Sequence, residues 1–291
     1  MRNILWYYYQ IRCDETNENN QETIIKSNGD EYIFKELTIP EDLLKQIVEI
    51  LYFNQIPSFI IVINKDKSLI TKYNDKDFVL LKKIPLLTNN FIDLTRIEVK
   101  IDKNDIGATW SKKIDYFMLQ LNEFGINKEM LINSFNYYVG MAENAIAMAN
   151  RINDNNIEFQ YVIQHARLSY PLSHEKYYDP TTMVIDIRIR DLSEFIKAKF
   201  FNNNITIDEI DRMVKKYNIN ANEANMLYAR LFYPSYYFDL FEDMVVDEED
   251  EEKIFQILKK RKDYEQLLRE FYDFYKNSYN IYDVEWLKKE L

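Results

Sequence analysis

The residues able to do polar chemistry gather in one stretch of the chain. HARLSYPLSHE carries both histidines, His165 and His174, together with Arg167 and Glu175; Asp179, Asp186 and Asp191 follow within sixteen residues of Glu175. A histidine can pass a proton at neutral pH. A carboxylate can ligate a divalent cation. A guanidinium can neutralise an anion, but it stays protonated and cannot take a proton from a hydroxyl. His174 reads as a surface histidine in a loop, because no second catalytic group stands beside it. The two histidines and the single cysteine, Cys13, lack the spacing of a zinc site. One cysteine also excludes an internal disulfide, which suits a reducing compartment or a secreted chain without staples. Cys13 is expected near the end of a strand, as an inert thiol.

The elements that must position these residues follow from composition and periodicity. The chain has 291 residues, 47% hydrophobic and 15% aromatic, enough to fold around one two-lobed domain. Its formal net charge of −11, with no long basic run, disfavours nucleic acid and anionic membrane as partners. No stretch reaches the roughly 18 apolar residues of a membrane span. The opening MRNILWYYYQIRCDE lacks a small-residue cleavage site, so the chain is expected to stay inside the cell that makes it.

The first third reads as a sheet with one helix. ILWYYYQI is β-rich, and ETIIKS and EYIFKEL flank Asn28-Gly29, a dipeptide suited to φ > 0 in a hairpin. Pro40 opens a helix with Leu43, Leu44, Ile47, Val48, Leu51 and Tyr52 on one stripe. SFIIVIN, SLITKYN and DFVLLKKI read as three further strands. The rest is mainly helix. WSKKIDYFMLQLNEF leads into a long helix whose Leu131, Phe135, Tyr138, Ala142, Ala145, Ile146 and Ala149 share a face; Gly140, Ala142 and Ala145 are expected to let a neighbour approach. TMVIDIRI, 182–189, is a short strand with Met183, Ile185 and Ile187 on its buried face. Helices are expected near 191–201, 206–217, 220–232, 235–244, 250–276 and 283–290. The class is α+β, with a lobe junction near Ile84–Thr88 dividing a β-rich part, 1–87, from a helical part, 88–291.

Three segments resemble a known family: YYVGMAENAI at 137–146, HARLSYPLS at 165–173 and VIDIRIRDLSEFIK at 184–197. They are similar to the bacterial spore-coat kinase-like proteins, the CotS and YutH group, and most to its YutH members. That group lies within the aminoglycoside and choline kinase-like superfamily. The resemblance implies a two-lobed protein-kinase-like fold, with a small N-terminal antiparallel sheet plus one helix and a larger, mainly α-helical C-terminal lobe.

It also implies roles that can be checked residue by residue. Phosphoryl transfer is positioning and charge neutralisation, and needs a phosphate cradle, a lysine, metal ligands and an acid for the nucleophile. The cradle is missing: the first hairpin offers only Gly29, in SNGDE, with Asp30 and Glu31 beside it. Lys35 matches the nucleotide-binding strand lysine. Its helix partner by spacing, Glu49, lies opposite the apolar stripe and should face solvent; Glu41 sits in the first turn, where an acid suits the dipole. In the catalytic loop His165 fits, but Arg167 stands for the acid, Ser169 for a second histidine and Leu172 for the metal-binding asparagine. Asp186 matches the metal-binding aspartate, and Asp191 a structural one, explained by an N-cap position.

These substitutions imply a chain that has lost phosphotransfer and works as a binding or structural component in sporulation. It would need no cofactor and would partner other spore-coat or sporulation proteins. It would be made in the mother-cell cytoplasm and reach the spore coat. Arg167 would replace the metal and pair with Asp186, with Arg188 and Arg190 adding positive charge nearby. Arg167→Ala would then cost about 3–5 kcal/mol if the pair is buried. Two alternatives stay open. One is a divergent small-molecule kinase using Mg-ATP, with Glu175 or Asp179 joining Asp186 on the metal. The other is a non-hydrolysing nucleotide sensor. VDEEDEEK, 246–253, reads as a solvated helix start or a docking site for basic partners. The aromatic-rich C-terminal segments read as core.

Overall fold

A computed structural model describes residues 2–18, 22–84, 91, 93–101, 105–124, 129–155, 157–247 and 252–288. The chain forms two compact units that interleave along the sequence. The first is Met1–Glu98 with Val162–Arg167 and Leu172–Asp186; the second is Val99–Tyr161, Leu168–Pro171 and Ile187–Leu291. Helical content is thus segregated from the sheet, as the α+β reading expects, but the N-terminal unit takes back two later segments. The expected junction at Ile84–Thr88 lies almost wholly outside the described residues, as does much of the 246–253 acidic run.

In the first unit, six antiparallel strands form one sheet: β1 (Glu15–Glu18), β2 (Glu22–Ser27), β3 (Asp30–Glu36), β4 (Ile60–Ile61), β5 (Thr71–Tyr73) and β6 (Lys76–Lys82). Their order is β1-β2-β3-β6-β4, with β5 also paired to β6. The β2–β3 hairpin closes through Asn28 and Gly29 at φ 51° and 84°, as their types require. Asn74 and Asp75, at φ 49° and 58°, close β5–β6 the same way. Helix α2 (Glu41–Phe53) is capped by Pro40 and buries Leu44, Ile47 and Leu51. Leu44 packs with Ile33, Phe59, Val79 and Leu81, and Val48 lies against the same cluster. Tyr52, expected on that stripe, is instead exposed.

The start of the chain corrects the strand expected at ILWYYYQI, because it forms helix α1 (Arg2–Tyr9). Leu5 is fully buried and Tyr9 half-buried, while Trp6 and Tyr7 are exposed, so the apolar period is four and not two. Leu5 packs on Ile25, Phe34 and Leu80, and the Tyr9 hydroxyl bonds Thr71 Oγ1 at 2.7 Å. Cys13 accordingly follows a helix and is half-buried; burial raises its thiol pKa. SFIIVIN yields only the two residues of β4.

The second unit is helical. α3 (Ile106–Phe124) and α4 (Glu129–Asp154) pack side by side, and α4 buries Leu131, Phe135, Tyr138, Ala142, Ala145 and Ala149 as expected. Gly140 corrects the packing expectation: a Cβ there meets nothing within 4 Å. The tight position is Gly107 of α3, where a Cβ would fall 1.9 Å from the Asn150 side chain. Gly140→Ala should therefore stabilise the protein by about 0.5–1 kcal/mol, by removing unfolded-state freedom and improving helix propensity. A rise in the urea midpoint checks this; a fall would show that α4 needs the glycine.

Helices α6 (Arg190–Asn203), α7 (Ile207–Tyr217), α8 (Ala221–Phe232) and α9 (Ser235–Asp247) follow the sequence expectation closely. They come after a one-turn helix, α5 (His174–Tyr177), which the sequence reading leaves as loop. The helix expected over 250–276 is two: α10 (Glu252–Lys259) and α11 (Arg261–Tyr279). The break at Lys260 frees its ammonium to bond the carbonyls of Phe200 and Phe201, at 3.3 and 2.8 Å, at the end of α6. A last short helix, α12 (Glu285–Lys288), ends the described chain.

Candidate functional site

Two strands frame the candidate residues: β7 (Tyr161–His165) and β8 (Met183–Ile187), paired as a separate ladder. β7 is buried along its whole length. His165 ends it. Its Nε2 lies 2.9 Å from the Tyr177 carbonyl and must therefore donate, and its ring packs on Tyr177 at 4.4 Å. His165 thus fastens the loop to the strand. Arg167 follows as an exposed side chain whose Nη1 donates to the Ala166 carbonyl at 2.6 Å. Asp186 is buried near the end of β8, 6% exposed. Ile185 is only half-buried, so β8 does not show the clean alternation expected of it.

The first unit gathers His165, Arg167, Asp186 and Lys35; the second holds Asp191, Arg188 and Arg190. Asp191 is buried at the second position of α6, and the cap is Ile189, so the N-cap explanation fails by two residues. Arg188 is not a loose positive charge near Asp186. Its Nε and Nη2 grip the Glu223 carboxylate at 2.5 and 2.8 Å, and its other donors reach the Tyr217 and Asn218 carbonyls.

Lys35, on β3, has the partner that spacing could not reveal. Its ammonium lies 2.9 Å from Asp179 Oδ2, 144 residues away, with both side chains largely buried. The other oxygen, Oδ1, accepts from the Thr181 N–H at 2.9 Å and the Thr181 hydroxyl at 2.6 Å, capping the 3₁₀ turn Pro180–Thr182. Glu49 is exposed, as expected, and Glu41 pairs with Lys45 on its own helix. Glu175 pairs with Lys83 at 2.7 Å, and Lys83 also meets Glu31. Burial opposes the Lys83 charge, but these two carboxylates outweigh it and raise its pKa.

His174 is not a loop histidine either. It starts α5, and its ring stacks on Phe91 at 4.3 Å. Phe91 also meets the Tyr177 ring edge-on at 4.8 Å.

The phosphate cradle and the oxygen ligands that the phosphotransferase resemblance implies for ATP and magnesium are incomplete in these residues. The β2–β3 turn is a two-residue reversal whose Asn28 N–H already donates to Asp14 at 2.8 Å, so it offers no open row of donors. Arg167 and Leu172 supply no oxygen at the acid and asparagine positions. Glu175 and Asp179, the further metal ligands considered for an active kinase, are each engaged by a lysine. Among the described residues, no three of His, Cys, Asp and Glu gather to hold a metal.

Comparison with known proteins matches residues 106–271 to the family described as "Spore coat putative kinase YutH". The endospore coat-associated protein YutH of Bacillus subtilis (strain 168) is 24% identical over 276 residues, covering 79% of each chain. Among solved structures, an aminoglycoside phosphotransferase from Alicyclobacillus acidocaldarius superposes with a TM-score of 0.58 at 10% identity, covering 92% of this chain and 93% of that one. An AMP-bound spectinomycin phosphotransferase gives 0.53 at 15% identity, covering 94% of each. These two show the fold: the aminoglycoside-phosphotransferase form of the protein-kinase-like architecture.

Proposed function

The chain belongs to the YutH family of spore-coat kinase-like proteins, and we propose that it acts in the spore coat as a non-catalytic, kinase-shaped binding or structural component. One observation carries this reading: Arg167, an exposed guanidinium that cannot accept a proton, stands at the catalytic-acid position, with Leu172 where the metal-binding asparagine belongs. Its partners are other coat or sporulation proteins. The exposed Trp6 and Tyr7 of α1, with the Arg12 guanidinium 5.4 Å from the first ring and the Lys65 ammonium 3.2 Å from the second, suit protein contacts. The net charge of −11 disfavours nucleic acid and anionic lipid as alternatives. Among the described residues, no helix is long and apolar enough to cross a membrane.

In this reading Arg167 stands in for the metal and pairs with Asp186. Because Arg167 is exposed, that pair contributes about 0–1 kcal/mol, not the larger cost of a buried one. A double-mutant cycle over Arg167→Ala and Asp186→Asn measures the coupling; zero coupling removes the pairing but leaves the non-catalytic role standing.

The function is tested in a spore-forming host by replacing the native copy with Asp186→Asn. Equal recovery of wild type and variant in the coat fraction, with spore properties unchanged, is the expected result. Altered spores containing a normal amount of folded variant would show that the family's metal-binding position is needed, and would overturn the proposal.

A further inference from the structure

Helix α3 has two faces of different kind. Ile106, Trp110, Ile114 and Phe117 are buried, and at about 100° per residue they lie on one side of the helix. Lys112, Tyr116, Leu119 and Glu123 fall on the opposite side and are all exposed. A solvated stripe needs no apolar residue at its centre. Here Leu119 is 63% exposed and Tyr116 48%, with Met118 beside them at 38%. Single exposed apolar residues are ordinary; adjoining ones on the outermost line of a helix mark a contact surface. The two charges of the stripe stand at its ends and are opposite in sign. Lys112 and Glu123 are about 16 Å apart along the axis at 1.5 Å per residue, so they cannot pair with each other.

We propose that this stripe is the contact of a homodimer, in which α3 of one copy lies antiparallel on α3 of a second copy about a two-fold axis. Such an interface joins the same patch on both copies. With the axis level with the midpoint between Tyr116 and Leu119, Leu119 of each copy stands level with Tyr116 of the other. The same register sets Lys112 of each copy level with Glu123 of the other, so one placement matches the apolar centre and both charged ends. A parallel pair would bring Lys112 onto Lys112 and Glu123 onto Glu123. The charges therefore select the antiparallel arrangement. One helix per copy makes an interface at the small end of the specific range, so the dimer should dissociate in the micromolar range. The inference concerns assembly and holds whether or not the chain transfers phosphate.

Sedimentation equilibrium of the full chain, from below to well above the micromolar range, tests this. Wild type should pass from monomer to dimer. Lys112→Glu sets two carboxylates together at each end of the contact, and Glu123→Lys sets two ammonium groups together. Each should weaken the dimer at least tenfold. Mixed in equal amounts, these two variants should recover wild-type affinity as a heterodimer, because both ends then join opposite charges. Damage to the fold of either chain would not be repaired by mixing. Leu119→Glu should remain monomeric throughout while its urea midpoint stays at the wild-type value, since the side chain is exposed. A wild type that stays monomeric at every concentration would leave the stripe to a different protein and overturn the proposal. So would a dimer that survives Leu119→Glu, or a mixture that associates no more tightly than its two components alone.

Discussion

Arg188→Ala should destabilise the protein by about 3–5 kcal/mol, because it strands a buried carboxylate. Glu223 is 3% exposed and lies in the first turn of α8. It forms a capping box with Asn220: its Oε2 accepts the Asn220 N–H at 3.0 Å while Asn220 Oδ1 accepts the Glu223 N–H at 3.0 Å. Arg188 completes that carboxylate with two parallel bonds and also satisfies the Tyr217 and Asn218 carbonyls at the C-terminal end of α7. One guanidinium therefore joins the end of one helix to the start of the next, where a cation also suits the α7 dipole. Arg188→Lys keeps the charge and loses the fork, so about 1–2 kcal/mol should be lost. Urea unfolding of both variants checks this. As a control, Arg96→Ala removes a side chain that is 83% exposed and should fall within about 0.5 kcal/mol of wild type. An Arg188→Ala midpoint equal to the control would contradict the description of this joint.

Alkaline pH should unfold the helical unit over a narrow range. Tyr138, Tyr228, Tyr237 and Tyr264 are fully buried, and burial pushes each hydroxyl well above the ordinary tyrosine range. Tyr264 donates to the Leu231 carbonyl at 2.7 Å and Tyr228 to that of Leu268 at 3.3 Å, bonds that only the protonated hydroxyl can make. The folded pKa is the higher one, so the unfolded chain loses these protons first. Stability is complete below the unfolded value, near pH 10, and falls as pH rises, by about 1.4 kcal/mol per tyrosine per pH unit. Four residues remove about 6 kcal/mol by about pH 11, comparable with the whole stability of many domains. Phenolate absorbance and circular dichroism, followed together, should show these tyrosines ionising in the same step as unfolding. Smooth ionisation of every tyrosine through pH 10 with the helical signal intact would contradict their burial.

The long helices were legible because their apolar residues repeat at helical spacing over many turns, as Leu131, Phe135, Tyr138, Ala142, Ala145 and Ala149 do in α4. The β2–β3 turn was legible because Asn-Gly tolerates positive φ at both positions. Short elements were less so. ILWYYYQI has a strand's composition, and only burial of Leu5 with exposure of Tyr7 marks it as helix. Strand β1, ETNE, has no apolar alternation, because it is an exposed edge. YVIQH is a strand buried throughout, and it shows as a short apolar run that periodicity alone does not assign. At the site, local substitutions could be read directly: Arg167, Leu172 and the lone Gly29 stand where they stand. Partners could not. Lys35 meets Asp179 across 144 residues. Arg188 turns to Glu223 although it follows Asp186 by two positions. The Asn220-x-x-Glu223 capping box was the one signal in the sequence that Glu223 has a structural task.

The central claim is that this family member does not move phosphoryl groups. Its most direct test is an assay of ADP formation by the purified full-length chain with Mg²⁺ and ATP, with and without hydroxyl-bearing acceptors, beside the Asp186→Asn variant. The account predicts no ADP above the buffer blank from either protein. It also predicts no thermal shift, where ligand at a hundredfold excess over Kd would add about 2.7 kcal/mol of stability. ADP formed by wild type and abolished by Asp186→Asn would contradict it.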